Sequence, residues 1–212
     1  MSSRFSEGVD AVASGGSGLW FFRQGRALET NGSGDKRLHE PDSLTSEGYW
    51  PALRGTGFEN GIDAVTAGDS SGFWFFKDGK TLKTDKWGST REKGPVDIAV
   101  EWPALEGTGF ETGVDAVTVG GNGLWFFKGD RALETNGSGD KRLHEPDSLT
   151  SEGYWPALRG TGFENGIDAV TAGDSGGFWF FKDGKTLKTD KWGSTREKGP
   201  VDIAVEWPAL DV

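Results

Sequence analysis

One aspartate recurs in the same setting four times along this chain. Gly8-Val9-Asp10-Ala11-Val12 returns as Gly61-Ile62-Asp63-Ala64-Val65, as Gly113-Val114-Asp115-Ala116-Val117 and as Gly166-Ile167-Asp168-Ala169-Val170. Oxygen ligands of this type suit hard cations such as Ca²⁺ or Na⁺. The competing role is local, each carboxylate bonding only the backbone of a neighbouring turn. The only histidines are His39 and His144, each followed by Glu-Pro-Asp. Histidine beside a carboxylate can ligate a metal or haem, or move a proton. One histidine per half gives no spaced ligand set, and Pro41 forbids the helix a zinc-protease motif needs. Both are therefore candidates for ligand contact, read first as solvated loop residues. Trp87 and Trp192 stand in the polar segment Asp85-Lys86-Trp87-Gly88-Ser89-Thr90-Arg91 and its copy. A large aromatic in such a loop either stacks on a ligand or packs at an edge. No catalytic residues emerge. Gly15-Gly16-Ser17-Gly18 and Asn31-Gly32-Ser33-Gly34 lack the Lys-Ser/Thr and helix of a phosphate loop.

These residues sit in a repeating frame. The Gly-Val/Ile-Asp-Ala-Val copies are spaced by 53, 52 and 53 residues. Each precedes an aromatic run: Leu19-Trp20-Phe21-Phe22, Phe73-Trp74-Phe75-Phe76, Leu124-Trp125-Phe126-Phe127 and Phe178-Trp179-Phe180-Phe181. Each unit ends in Trp-Pro-Ala-Leu, starting at Trp50, Trp102, Trp155 and Trp207. A shift of 105 residues superposes the two halves. From Phe5 and its copy Phe110 onward, their differences cluster at the start of each half, at Ser6/Glu111, Glu7/Thr112, Ala13/Thr118, Ser14/Val119, Ser17/Asn122, Arg23/Lys128, Gln24/Gly129 and Gly25/Asp130. Only Ser71/Gly176, Glu106/Asp211 and Gly107/Val212 follow.

Within a unit, the Asp-Ala-Val run reads as a short strand and the Trp-Phe-Phe run as a second. Asp78-Gly79 is a hairpin turn, and Lys80 to Thr84 alternates as a half-buried third strand. Gly94-Pro95 is read as a break, and Val96 to Trp102 as a helical turn or two ended by Pro103. The four recurring tryptophans Trp20, Trp74, Trp125 and Trp179 are expected to pack blade against blade. A sheet of three or four strands cannot bury both faces alone, so the units must pack around an axis. The expected repeats run from about 5–60, 61–112, 113–165 and 166–212.

Composition removes several classes. The formal net charge is −10 with no basic run, so a nucleic-acid partner is not expected. An acidic surface favours cations, polyamines or basic partners. There is no cysteine, which excludes disulfides and thiolate ligands. No apolar run is long enough for a membrane span, and the first residues show no secretory signal, so a soluble intracellular location is expected.

The stretch from Trp102 to Ala116, with its copies, resembles the hemopexin repeat, and looks similar to that of the plant albumin-2 seed proteins. The segment Gly88 to Pro95 is similar to an inter-strand segment of that group. The resemblance implies an all-β, four-bladed β-propeller with short helices ending each blade, here built as two near-identical halves. It also implies a central channel in which backbone carbonyls at Asp10, Asp63, Asp115 and Asp168 ring a Ca²⁺ or Na⁺ ion. Haem is not expected. Relatives whose first and last blades are tied by a disulfide differ from this chain, in which packing of Phe5 and an amino-terminal strand must close the ring. The expected function is a non-enzymatic binding or scaffold protein for a small cationic ligand such as a polyamine. A structural or self-associating module, as a homodimer, is one alternative. An enzyme that shapes a reactive intermediate in a propeller pocket is another.

Overall fold

The three strands placed in each unit from the pattern form, and a fourth completes each sheet. In a computed structural model of the chain, residues 4–67, 72–173 and 176–212 are described. They form four antiparallel four-stranded sheets, each in simple sequence order. The first blade holds β1 (Ala11–Gly15), β2 (Gly18–Arg23), β3 (Arg26–Asn31) and β4 (Arg37–Ser43). The second holds β5 (Ala64–Ala67), β6 (Gly72–Lys77), β7 (Lys80–Asp85) and β8 (Arg91–Asp97), followed by α1 (Ile98–Glu101). The third holds β9 (Ala116–Gly120), β10 (Gly123–Lys128), β11 (Arg131–Asn136) and β12 (Arg142–Ser148). The fourth holds β13 (Ala169–Ala172), β14 (Phe178–Lys182), β15 (Lys185–Thr189) and β16 (Arg196–Asp202), followed by α2 (Ile203–Glu206). The inner strands β1, β5, β9 and β13 touch one another in cyclic order, closing a ring around the channel. The architecture is a four-bladed propeller.

The second and third strands of each blade meet in a two-residue turn. Where aspartate leads it, φ is positive at both positions, as at Asp78 (49°) and Gly79 (73°). That is the turn whose twist matches the flanking strands. Two expectations change at the outer edge. Gly94-Pro95 does not break the chain: it lies inside β8, and the helix shrinks to Ile98–Glu101. Proline is tolerated here because β8 is an edge strand, whose outward N–H groups need no ladder partner. Among the described residues α-helical turns occur only in the second and fourth blades, and all four blades end in a 3-10 turn at Pro-Ala-Leu.

Four separate hydrophobic cores lie in the seams between successive blades. Each is organised by the tryptophan of a Trp-Pro-Ala-Leu turn. Trp50 meets Trp20, Phe22, Phe73 and Phe75 with centroids 4.7 to 5.9 Å apart. Trp102 likewise meets Trp74, Phe76 and Phe126. The loop between the third and fourth strands of one blade docks on this tryptophan of its neighbour. Ala52 N–H donates to Gly88 O at 3.1 Å, and the same bond joins Ala104 to Gly139, Ala157 to Gly193 and Ala209 to Gly34. A side chain at Gly88 would overlap the Trp50 ring, which is why glycine stands there.

The ring closes at the fourth seam. Phe5 is fully buried beside Trp207 and Leu210, and its N–H donates to Val212 O at 3.3 Å. The segment carrying Phe5 is a 3-10 turn (Phe5–Glu7), not the strand expected, and is the counterpart of the turns at Phe58–Asn60, Phe110–Thr112 and Phe163–Asn165 that lead into the inner strands of the other blades.

Candidate functional site

The four recurrent aspartates stand one residue before the inner strands, so the ring of strands gathers them at one mouth of the channel. Each backbone N–H adds a rung to the second strand: Asp10 to Phe22 O and Asp115 to Phe127 O at 2.8 Å, Asp63 to Phe76 O and Asp168 to Phe181 O at 2.9 Å. Each carboxylate accepts from the first residue of the strand-two to strand-three turn. Asp10 Oδ2 takes the Gln24 N–H at 2.6 Å, Asp63 Oδ2 that of Asp78 at 2.9 Å, Asp115 Oδ2 that of Gly129 at 2.7 Å and Asp168 Oδ2 that of Asp183 at 2.9 Å. The side chains thus pin the turns, and the local role read from the sequence is real. Among the described residues no three His, Asp or Glu side chains converge as a metal-ligating group.

Above the aspartates lies a cavity of about 690 Å³. All four line it, together with Glu7 and Asp183. The cations on its wall are Arg23, Lys77 and Lys182. Burial raises the Asp63 carboxyl above the usual carboxylate range, and the Asp115 charge adds to this. Burial raises Asp168 in the same way, with Asp183 and Asp10 adding to it. The charges across the mouth therefore feel one another. Towards the other end the channel narrows to a space of about 110 Å³, lined by Val12, Val65, Val117 and Val170 with Thr118 and Thr171.

The mouth is not symmetric. Arg23 donates from Nη1 to Gly8 O and lies 3.9 Å from Glu7. Its counterpart Lys128 turns instead to Gly109 O and Thr112 Oγ1, both at 2.6 Å, and does not line the cavity. The Asp115 corner is left as the more open side.

The other sequence-derived candidates lie elsewhere. His39 and His144 are not loop residues: they sit on β4 and β12, opposite Glu29 and Glu134. His39 Nδ1 lies 2.8 Å from Glu29 Oε2, and His144 Nδ1 2.7 Å from Glu134 Oε2. Both glutamates are buried, and the imidazoles lie on Trp20 and Trp125 at 5.1 Å. The histidine thus partners a buried carboxylate that would otherwise be costly. In the second blade the same row holds Lys83 and Lys93. Trp87 and Trp192 are 71% and 70% exposed, each with a lysine Nζ 4.8 Å from its ring. Their loops are stiffened by Asp85 and Asp190, which accept from Ser89 and Ser194. None of these four residues lines the mouth.

Sequence reasoning did not find Arg23, Lys77 and Lys182 as mouth residues. The signal was present, because each follows the Trp-Phe-Phe run and precedes the turn an aspartate pins.

No protein-family model matches the chain. It is 33% identical over 123 residues to albumin-2 of Lathyrus sativus and 35% identical over 135 residues to albumin-2 of Pisum sativum. These matches cover 55% and 59% of this chain. They span only about half of the relatives, 54% and 56%. Among solved structures, a 2S albumin seed protein from Dolichos superposes with a TM-score of 0.86 at 25% identity, over 96% of this chain and 97% of that one. A hemopexin-fold protein from cow pea gives 0.85 at 24% identity, over 95% and 96%. A plant lectin with two metal binding sites from Cicer arietinum gives 0.83 at 25% identity, over 95% and 96%. In sequence over half its length, and in fold over nearly all of it, this chain resembles the plant albumin-2 seed proteins and is a hemopexin-type propeller.

Proposed function

We propose that this chain is a non-enzymatic binding protein that takes a small cationic ligand at the acidic mouth of its channel. The observation that carries this is the mouth itself, a cavity of about 690 Å³ in which Asp10, Asp63, Asp115, Asp168, Glu7 and Asp183 outnumber Arg23, Lys77 and Lys182. Low-dielectric walls and one sign of excess charge concentrate cations. A polyamine such as spermine matches both parts of the channel, ammonium groups at the aspartates and methylenes along the valines. A hard cation, Ca²⁺ or Na⁺, fits the same place through the inner-strand carbonyls at Asp10, Asp63, Asp115 and Asp168, since their carboxylates are engaged by the turns. A lectin of the same fold with two metal sites supports a binding role of this kind.

Calorimetric titration of spermine into metal-stripped and Ca²⁺-loaded protein, at low and moderate salt, tests the reading. Saturable binding that survives moderate salt is expected. Removing two partly solvated carboxylate charges in Asp63→Asn/Asp168→Asn is expected to weaken it about tenfold. Heat that vanishes with salt, or an unchanged double variant, removes the ligand from the mouth.

A further inference from the structure

The mouth of the channel has four corners, and they differ in where the chain's own cations stand. In each blade the second strand ends in a basic residue: Arg23, Lys77, Lys128 and Lys182. Three of these line the cavity beside an aspartate. Lys77 and Lys182 are mostly buried, and their charges act on Asp63 and Asp168. Arg23 is mostly buried at the Asp10 corner, held between Gly8 O and Glu7.

The third corner is built differently. Lys128 bonds Gly109 O and Thr112 Oγ1, and stands in a separate hollow of about 350 Å³ with Phe110 and Arg131. The cause lies in the substitutions that separate the halves. Thr112 stands where the first half has Glu7, so a hydroxyl draws the lysine outward where a carboxylate faces the arginine. Gly129 stands where the first half has Gln24, so the turn presents no side chain to the cavity. Asp115 is left exposed, while Asp10, Asp63 and Asp168 are half-buried. Its Oδ2 accepts the Gly129 N–H, and its Oδ1 has no hydrogen-bond partner among the described residues. A cation arriving at any other corner meets an arginine or a lysine. At Asp115 it meets a carboxylate alone.

We infer that the mouth binds through one corner: the ammonium head of the ligand seats on Asp115, off the channel axis, one ligand to a ring. This rests on the reading of the mouth as a cation site and adds the place and the number. A primary ammonium is a compact charge that one oxygen can receive, which suits Oδ1 of Asp115. Asp10, Asp63 and Asp168 act on it through space. The two-fold repeat of the chain does not extend to its ligand.

The test is calorimetric titration of spermine, at moderate salt, into the parent and three variants. The parent is expected to bind one spermine per chain, and two would overturn the corner. A parent that does not bind at all removes the mouth reading itself; the variants bear on the corner alone. Asp115→Asn keeps an acceptor for the turn and is expected to weaken binding about thirtyfold, the worth of one charged hydrogen bond. Asp10→Asn, its counterpart under the repeat, is expected to weaken it only about threefold, as a nearby charge out of contact. Adding Glu7→Thr/Arg23→Lys/Gln24→Gly/Gly25→Asp to Asp115→Asn gives the Asp10 corner the residues with which the third blade already folds. That chain is expected to regain the parent's affinity to within about threefold, now at Asp10. Equal losses in the two single variants, or no recovery in the exchanged chain, would overturn the assignment. If the exchanged chain does not fold, the two single variants decide it.

Discussion

At the scale of the residue, the four mouth aspartates do two jobs with different parts of themselves. The carboxylates hold the turns, and the charges give the mouth its sign. The jobs conflict at Asp63 and Asp168, where burial raises the carboxyl and so disfavours the charged form. A raised folded value means that the native protein holds this proton more readily than the unfolded chain. The penalty is present at neutral pH, is relieved as pH falls through the raised folded value, and is gone below the unfolded value. Asn keeps the acceptor for the turn and removes the charge. Asp63→Asn/Asp168→Asn is therefore expected to melt about 1–3 °C higher than the parent at pH 7, the scale of a few tenths to one kcal/mol in a chain this long. The opposite sign holds for Asp35, Asp85, Asp140 and Asp190, whose hydrogen bonds hold them below the usual range. Their contribution exists above the ordinary carboxylate value, about 4, and is lost as pH falls through their lowered values. On acidification the double variant is expected to lose its advantage, because the parent gains relief there that the variant cannot. Melting curves from pH 7 to 3 decide this; a constant offset at all pH values would contradict it.

The same scale shows why some residues are legible in the sequence and others are not. Asp10 and its three copies are readable because a repeat places equivalent residues around one axis. His39 reads as a loop residue because its partner Glu29 lies ten positions earlier in sequence and meets it only across two strands. Nothing local distinguishes a histidine that covers a buried carboxylate from one in water.

At the scale of the element, the docking of a glycine loop on the next blade's tryptophan is the recurring joint. Gly88 has φ of 67° and no room for a side chain against Trp50. Gly48 has φ of 83° and open space around it. Gly88→Ala is thus expected to cost about 3 kcal/mol, combining a left-handed backbone with overpacking. Gly48→Ala carries only the backbone part, about 1 kcal/mol. Urea denaturation of the two variants checks the difference, and equal losses would mean that the joint tolerates a shift. The first three strands of a blade are legible from period-two alternation and turn chemistry. The fourth is not, because Gly94-Pro95 carries a local signal to stop that an edge strand can ignore. The joint is hidden for another reason: Asn31-Gly32-Ser33-Gly34 looks like any polar turn until Trp207 is placed under it.

At the scale of the whole molecule, four blades follow from four repeats, since sheets with two apolar faces must cover one another. The residues at the acidic mouth come from the start of each repeat, so their gathering can be foreseen.

The near identity of the halves bears on how the chain finds its partner surfaces. Blades one and two present to blades three and four almost the same seams that they receive in return. A half from one molecule therefore meets a compatible half in any other, and only the short connection through Trp102 to Phe110 favours the half on its own chain. Closure becomes a competition between tethered and free copies, governed by concentration. Refolding at high protein concentration is expected to yield exchanged dimers, each ring assembled from two chains, and dilute refolding to yield monomers alone. Size-exclusion chromatography of the two preparations would separate them, and identical profiles would show that the direct link between the halves, from Trp102 to Phe110, is enough to tell self from neighbour.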